Sequence, residues 1–164
     1  MSAVLTPGKI PLPDATQVRE LLGMLFDGMM VKAGGKTDVS PGSKAYVGVY
    51  VSDNGTTVAL CACDLALAAS SSAALSMLPP GVAKEAAKSG ELTDVMLANL
   101  REVMNICTRL VLREDTPHVR LETRCQAGKL PASAAALAAG PKARADFEIT
   151  LAKYGSGKFA VLTA

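Results

Sequence analysis

Tryptophan is absent from the chain, and tyrosine and phenylalanine together make up only 4% of its residues. Aromatic platforms on which nucleic-acid bases stack are therefore scarce. Charge of one sign is lacking too. The formal net charge is +2, no Lys/Arg-rich run occurs, and an electrostatic footprint for nucleic acid is missing. There is no uninterrupted apolar run of about 18 residues, which argues against a membrane helix. The opening "MSAVLTPGKIPLPD" lacks the basic start and apolar stretch of a secretion signal, so a cytoplasmic protein is expected. The only histidine is His118, so a His-based metal cluster is not expected.

What the sequence has in abundance is small and aliphatic. Hydrophobic residues are 49% of 164, enough for a single domain with an aliphatic core. Four cysteines are present, Cys61, Cys63, Cys107 and Cys125. Cys61 and Cys63 fall in a strand-like run, where alternate residues share a face, and read as small buried hydrophobes.

Residues 1–13 hold Pro7, Gly8, Pro11 and Pro13 and read as an extended arm, with one domain over 14–164. Asp14 or Thr16 caps a helix that runs through "QVRELLGMLFDGMMVKAGG" to Gly34-Gly35. In that helix Met24, Met29 and Met30 read as core filling, with an interaction surface as the alternative. "SKAYVGVYVSD" alternates, with Tyr46, Gly48 and Tyr50 on one side and Val47, Val49 and Val51 on the other. Asp53-Asn54-Gly55 marks a hairpin, because Asn-Gly accepts the positive φ of a tight turn. "TTVALCACDL" is the return strand.

A short helix stopped by Pro79-Pro80 follows, then a long helical stretch with a break at Ser89-Gly90. After Pro117, "HVRLETRCQAG" reads as a strand. The Ala-rich segment 130–143 is a loop or a short helix. Two final strands are joined at Gly155-Ser156-Gly157. Blocks of helices and strands, rather than strict alternation, favour an α+β fold with its helices on one face of a sheet.

The passage "MLANLREVMNICTRL" (Met96 to Leu110) is amphipathic at about 100° per residue. Leu92, Val95, Met96, Leu100, Val103, Met104, Ile106, Cys107, Leu110 and Val111 share an apolar sector. Opposite lie Asp94, Ala98, Arg101, Glu102, Asn105, Thr108 and Arg109. Such a polar face is what any surface helix displays. Asn105 is nevertheless a poor helix former in mid-helix, and it emerges beside Glu102 at i and i+3.

"ANLREVMN" is similar to the helix motif D/S-x3-E-x2-N of the CheC/CheX/FliY chemotaxis phosphatases, matching its last two anchors, Glu102 and Asn105. "ELTDVMLANLREVMNICTRL" lies gap-free along the CheX motif helix, and the element order over 14–164 resembles CheX. The resemblance implies a CheC/CheX-like α+β sandwich: an antiparallel or mixed sheet with two long helices and a short helix on one face. It implies a phosphatase for the phosphoaspartate of a CheY-type receiver domain, with Glu102 and Asn105 catalytic. Asn105 would hold the attacking water, and Glu102 would pair with the receiver's lysine. Ala98, Arg101 and Arg109 would meet the partner. No cofactor is implied for this chain, since Mg²⁺ belongs to the receiver, and a homodimer paired through sheet edges is implied. Ala98 departs from the Asp or Ser of the family's first position. One motif copy, as in CheX, is present: "ELLG" (Glu20 to Gly23) on the first helix has no Asn. The alternative within the same superfamily is a non-catalytic receiver-binding adaptor or flagellar switch-like module, and a third reading leaves the motif accidental.

Overall fold

In the computed structural model, which describes residues 10–112, 116 and 118–164, the backbone organises around one antiparallel six-stranded sheet. Its strands are β1 (Met30–Ala33), β2 (Tyr46–Ser52), β3 (Thr57–Cys63), β4 (Val119–Gln126), β5 (Ala143–Leu151) and β6 (Gly155–Thr163). They lie in the order β1-β5-β6-β3-β2-β4, so the edges are β1 and β4. The helices are α1 (Ala15–Leu22), α2 (Leu65–Leu75), α3 (Pro80–Ser89), α4 (Asp94–Ile106), α5 (Thr108–Val111) and α6 (Ala132–Ala139). This is the expected α+β class.

The alternation read in β2 divides the core. Tyr46 and Tyr50, with Ala59, Cys61 and Cys63 of β3, pack against α1 to α5. Val47, Val49 and Val51, with Leu60 and Ala62, face the other way, where Ala134 and Leu137 of α6 cover them. The Ala-rich segment is thus a helix, and it occupies the sheet face that the other helices leave open. Ala is the best helix former, and its small side chain lets the helix lie close to the valines. The hairpin at Asn54-Gly55 is as expected: Gly55 has φ +82° and its N–H donates to Ser52 C=O at 2.9 Å.

Three boundaries differ from expectation. The first helix does not reach Gly34-Gly35: it stops at Leu22, and Met30 to Ala33 form edge strand β1 on β5, pairing Met30 with Thr150 and Ala33 with Phe147. The helical spacing survives only as burial of Phe26 and Met29, with Leu25 partly buried beside them, because the helix is capped at Gly23 and Gly28 (φ +68°) turns the chain. Met29 is buried as core filling, whereas Met24 and Met30 are exposed. Pro79-Pro80 does not end the short helix, which stops at Leu75; Pro80 instead opens α3, where a missing N–H costs nothing. The last hairpin turns at Ala152 to Tyr154, with Lys153 at φ +74°, and Gly155 is already paired with Leu151. The break at Ser89-Gly90 is present, Gly90 being a left-handed cap at φ +82°. Most of the arm over 1–13 lies outside the described residues; Ile10 is buried in the core and Leu12 packs against it.

Candidate functional site

Thr93 begins α4: its hydroxyl accepts from Met96 N–H at 3.2 Å, and Asp94 lies in the first turn, where negative charge is favourable. Met96, Leu100, Val103 and Met104 are buried against the sheet and α2. Each such side chain stabilises the docked helix by about 1.5–3 kcal/mol, which fixes its rotation about its own axis. Asn99 adds a polar anchor, donating to Ser72 C=O at 2.9 Å and Ser76 Oγ at 2.6 Å on the α2 side.

The opposite stripe follows by geometry. Ala98, Arg101, Glu102, Asn105 and Arg109 are all exposed, each within about 60° of the stripe's centre at 100° per residue. None of their side chains has a hydrogen-bond or ion-pair partner among the described residues. Glu102 and Asn105 sit one turn apart, so a carboxylate acceptor and a carboxamide that donates and accepts point outward side by side. Val95 departs from its expected place in the apolar sector. It is 56% exposed, because its angular position lies beside Ala98 rather than opposite it. Arg109 stands at a groove whose other wall is formed by Gln17, Glu20 and Leu21 of α1 and by Met24 just beyond it.

The floor beneath this stripe was not legible from helix periodicity. Gly48 of β2 faces Met104, and a Cβ there would lie 3.1 Å from Met104 Sδ and 3.3 Å from Met104 Cβ. The Tyr50 hydroxyl, fully buried, donates to Met104 C=O at 2.5 Å. α4 ends two residues later, at Ile106, and after Cys107 the chain resumes as α5. The signal in the sequence was a glycine between two tyrosines on one strand face: a notch flanked by two hydroxyls.

The cysteines behave as buried hydrophobes. Cys61, Cys63 and Cys107 are fully buried and unbridged, and Cys125 is half-buried. Burial, with Asp64 and Cys61 nearby, pushes the Cys63 thiol far up, and contact with Cys61 together with burial raises Cys107 well above its ordinary value. Such thiols are poor nucleophiles and poor metal ligands. His118 is paired with Asp53 at 2.9 Å on the exposed hairpin. Among the described residues no three His, Cys, Asp or Glu side chains gather as a metal site, and no helix is long and apolar enough to cross a membrane.

No protein-family model and no curated protein matches the sequence. Solved structures do. The chain is similar to a chain of the FliM–SpeE complex from H. pylori, at TM-score 0.58 and 10% identity over 91% of this chain and 78% of that one. It is similar to the FliM middle domain from H. pylori, at TM-score 0.50 and 12% identity over 91% and 82%. A CheX–CheY–BeF3–Mg²⁺ complex from Borrelia burgdorferi matches more loosely, at TM-score 0.39 and 10% identity over 87% and 90%. The chain therefore has the fold of the FliM middle domain.

Proposed function

We propose that this protein docks the exposed stripe of α4 on the receiver domain of a response regulator and hastens hydrolysis of its phosphoaspartate. The observation that carries the reading is the outward, unpartnered pair Glu102 and Asn105, held on a rigid helix whose motif resembles that of the receiver phosphatases. Phosphoryl transfer asks a protein for positioning and charge compensation more than for a covalent group. The Asn105 carboxamide would accept one hydrogen bond from a water and donate another, aiming its oxygen in line with phosphorus. The water oxygen bonds to phosphorus as the acyl-phosphate P–O bond breaks. Inorganic phosphate departs, and the receiver's aspartate is left as a carboxylate. Asn105 takes no proton and acts by orientation alone. Glu102 would pair with the receiver's active-site lysine and set the register of the complex. Arg101 and Arg109, exposed on either flank, and Ala98 with its neighbour Val95 would make the surrounding contact. The metal that balances the phosphoryl charge, Mg²⁺, would be the receiver's own.

Ala98 favours a second reading. It cannot make the hydrogen bond that Asp or Ser makes at the family's first motif position, so a receiver-binding adaptor or switch-like module without turnover is the competing function. Phosphate release from a panel of phosphorylated receivers, with and without this protein, separates the two. Faster release supports the phosphatase. Binding that depends on phosphorylation but leaves the release rate unchanged supports the adaptor.

A further inference from the structure

We propose that Tyr50 is a positioning residue for Asn105, setting the peptide plane from which the carboxamide projects; this rests on Asn105 being the working group of the site. The Tyr50 hydroxyl donates to Met104 C=O at 2.5 Å. That oxygen and the Asn105 N–H belong to one planar peptide unit, so holding the oxygen fixes the plane at which the Asn105 Cα begins. Asn105 itself is exposed and, among the described residues, has no side-chain partner to orient it. Its aim is therefore set through the backbone.

Two further features converge on the same hydroxyl. The strand ladder is irregular on both sides of Tyr50: the register shifts between Tyr50 and Val51 toward β3, and between Val49 and Tyr50 toward β4. Irregularities of this kind bend a strand and re-aim a side chain. Gly48, two residues away on the same face, leaves the space the hydroxyl occupies, since a Cβ there would stand 3.1 Å from Tyr50 Oη. Cys61, the β3 residue paired with Gly48, is buried in the same cluster as Tyr50 and Cys107, the residue that terminates α4. Burial, aided by these thiols, raises the Tyr50 hydroxyl well above its ordinary value, so the donor keeps its proton throughout the working pH range.

Tyr154 supplies a matched control, because its hydroxyl donates to a backbone carbonyl, that of Leu78, at 2.6 Å elsewhere in the fold. Wild type, Tyr50→Phe, Gly48→Ala, Tyr154→Phe and Asn105→Ala are compared for hydrolysis of a phosphorylated receiver, for amide hydrogen exchange and for thermal stability. Tyr50→Phe is expected to lower kcat about tenfold with KM nearly unchanged, the signature of misaim rather than lost binding. Gly48→Ala, which crowds the hydroxyl and Met104 together, should act in the same direction, and Tyr50→Leu, which also removes the hydroxyl, stands in if Tyr50→Phe does not fold. Tyr154→Phe, at a comparable loss of melting temperature, should leave kcat unchanged. Exchange should quicken at residues 105–111 in Tyr50→Phe and not in Tyr154→Phe. Equal kcat losses in the two tyrosine variants, or unchanged exchange at residues 105–111, overturn the inference, the latter whether or not the protein is a phosphatase. If Asn105→Ala retains full activity, the functional reading fails instead, and the two failures are told apart.

Discussion

Asn99 donates its side-chain amide to Ser72 C=O across 2.9 Å and so ties α4 to α2. Six residues further along the same helix, Asn105 has no such partner among the described residues and faces outward. One asparagine serves the fold; the other is free to serve something outside it. The two alanine substitutions should therefore differ in their effect on stability. Asn99→Ala is expected to lower stability by about 1–2 kcal/mol, since the Ser72 carbonyl loses its partner. Asn105→Ala is expected to be neutral or to stabilise by about 0.5 kcal/mol, through helix propensity alone. Urea unfolding of the two variants checks this.

Gly157 of β6 is where the sheet meets the start of α2. A Cβ there would fall 2.5 Å from Leu67 N and Cβ and 2.6 Å from Asp64 Oδ1, the atom that caps α2 by accepting from Leu67 N–H at 2.9 Å. Backbone and cap cannot move aside as a long side chain can. Gly157→Ala is expected to cost about 3 kcal/mol from overpacking and loss of the cap, with the melting temperature as the measurement.

Arg144 and Asp146 form a mostly buried pair, with Arg144 Nε and Nη2 donating to the carboxylate at 2.9 and 2.8 Å and Thr37 N–H donating at 2.8 Å. Burial alone would raise the Asp146 carboxyl, but the Arg144 and Thr37 bonds outweigh it and hold it below its ordinary 3.8. A depressed folded value contributes stability that is present above the unfolded value and lost as pH falls through the folded one. Wild type should therefore lose stability below about pH 4 more steeply than Asp146→Asn, while Asp146→Asn should be less stable by about 3 kcal/mol at neutral pH. Stability against pH for both proteins tests the sign.

Thiol chemistry should follow burial. A thiol-labelling reagent is expected to modify half-buried Cys125 first, and Cys61, Cys63 and Cys107 only as the protein unfolds. Cys63 and Cys107 are raised above their ordinary 9.0, so their contribution to stability is complete below that pH and declines as pH rises past it. Labelling followed by peptide mass mapping gives the order directly.

The elements with strong local signals were readable from sequence. β2 alternates, Asn54-Gly55 turns, Gly90 caps, and the stripe from Ala98 to Arg109 emerges where a period of about 3.6 residues puts it. What was not readable was decided by partners distant in sequence. Met30 to Ala33 carry helix-compatible residues, yet pairing with β5 makes them a strand. The Ala-rich α6 has no polar face to report which side of the sheet it covers. Val95 looked apolar and therefore buried, but among the described residues its side of α4 is left exposed. Tyr50 and Gly48 carried a readable alternation, while their role under Met104 depends on how closely α4 approaches the sheet.

The most direct measurement is single-turnover phosphate release from a phosphorylated receiver, with wild-type protein and with Asn105→Ala confirmed as folded. Wild type should quicken release, and the variant should lose roughly 100-fold or more of that acceleration while still binding the receiver. Acceleration that survives intact in the variant would contradict the account, as would a wild-type protein that binds no receiver and speeds no release.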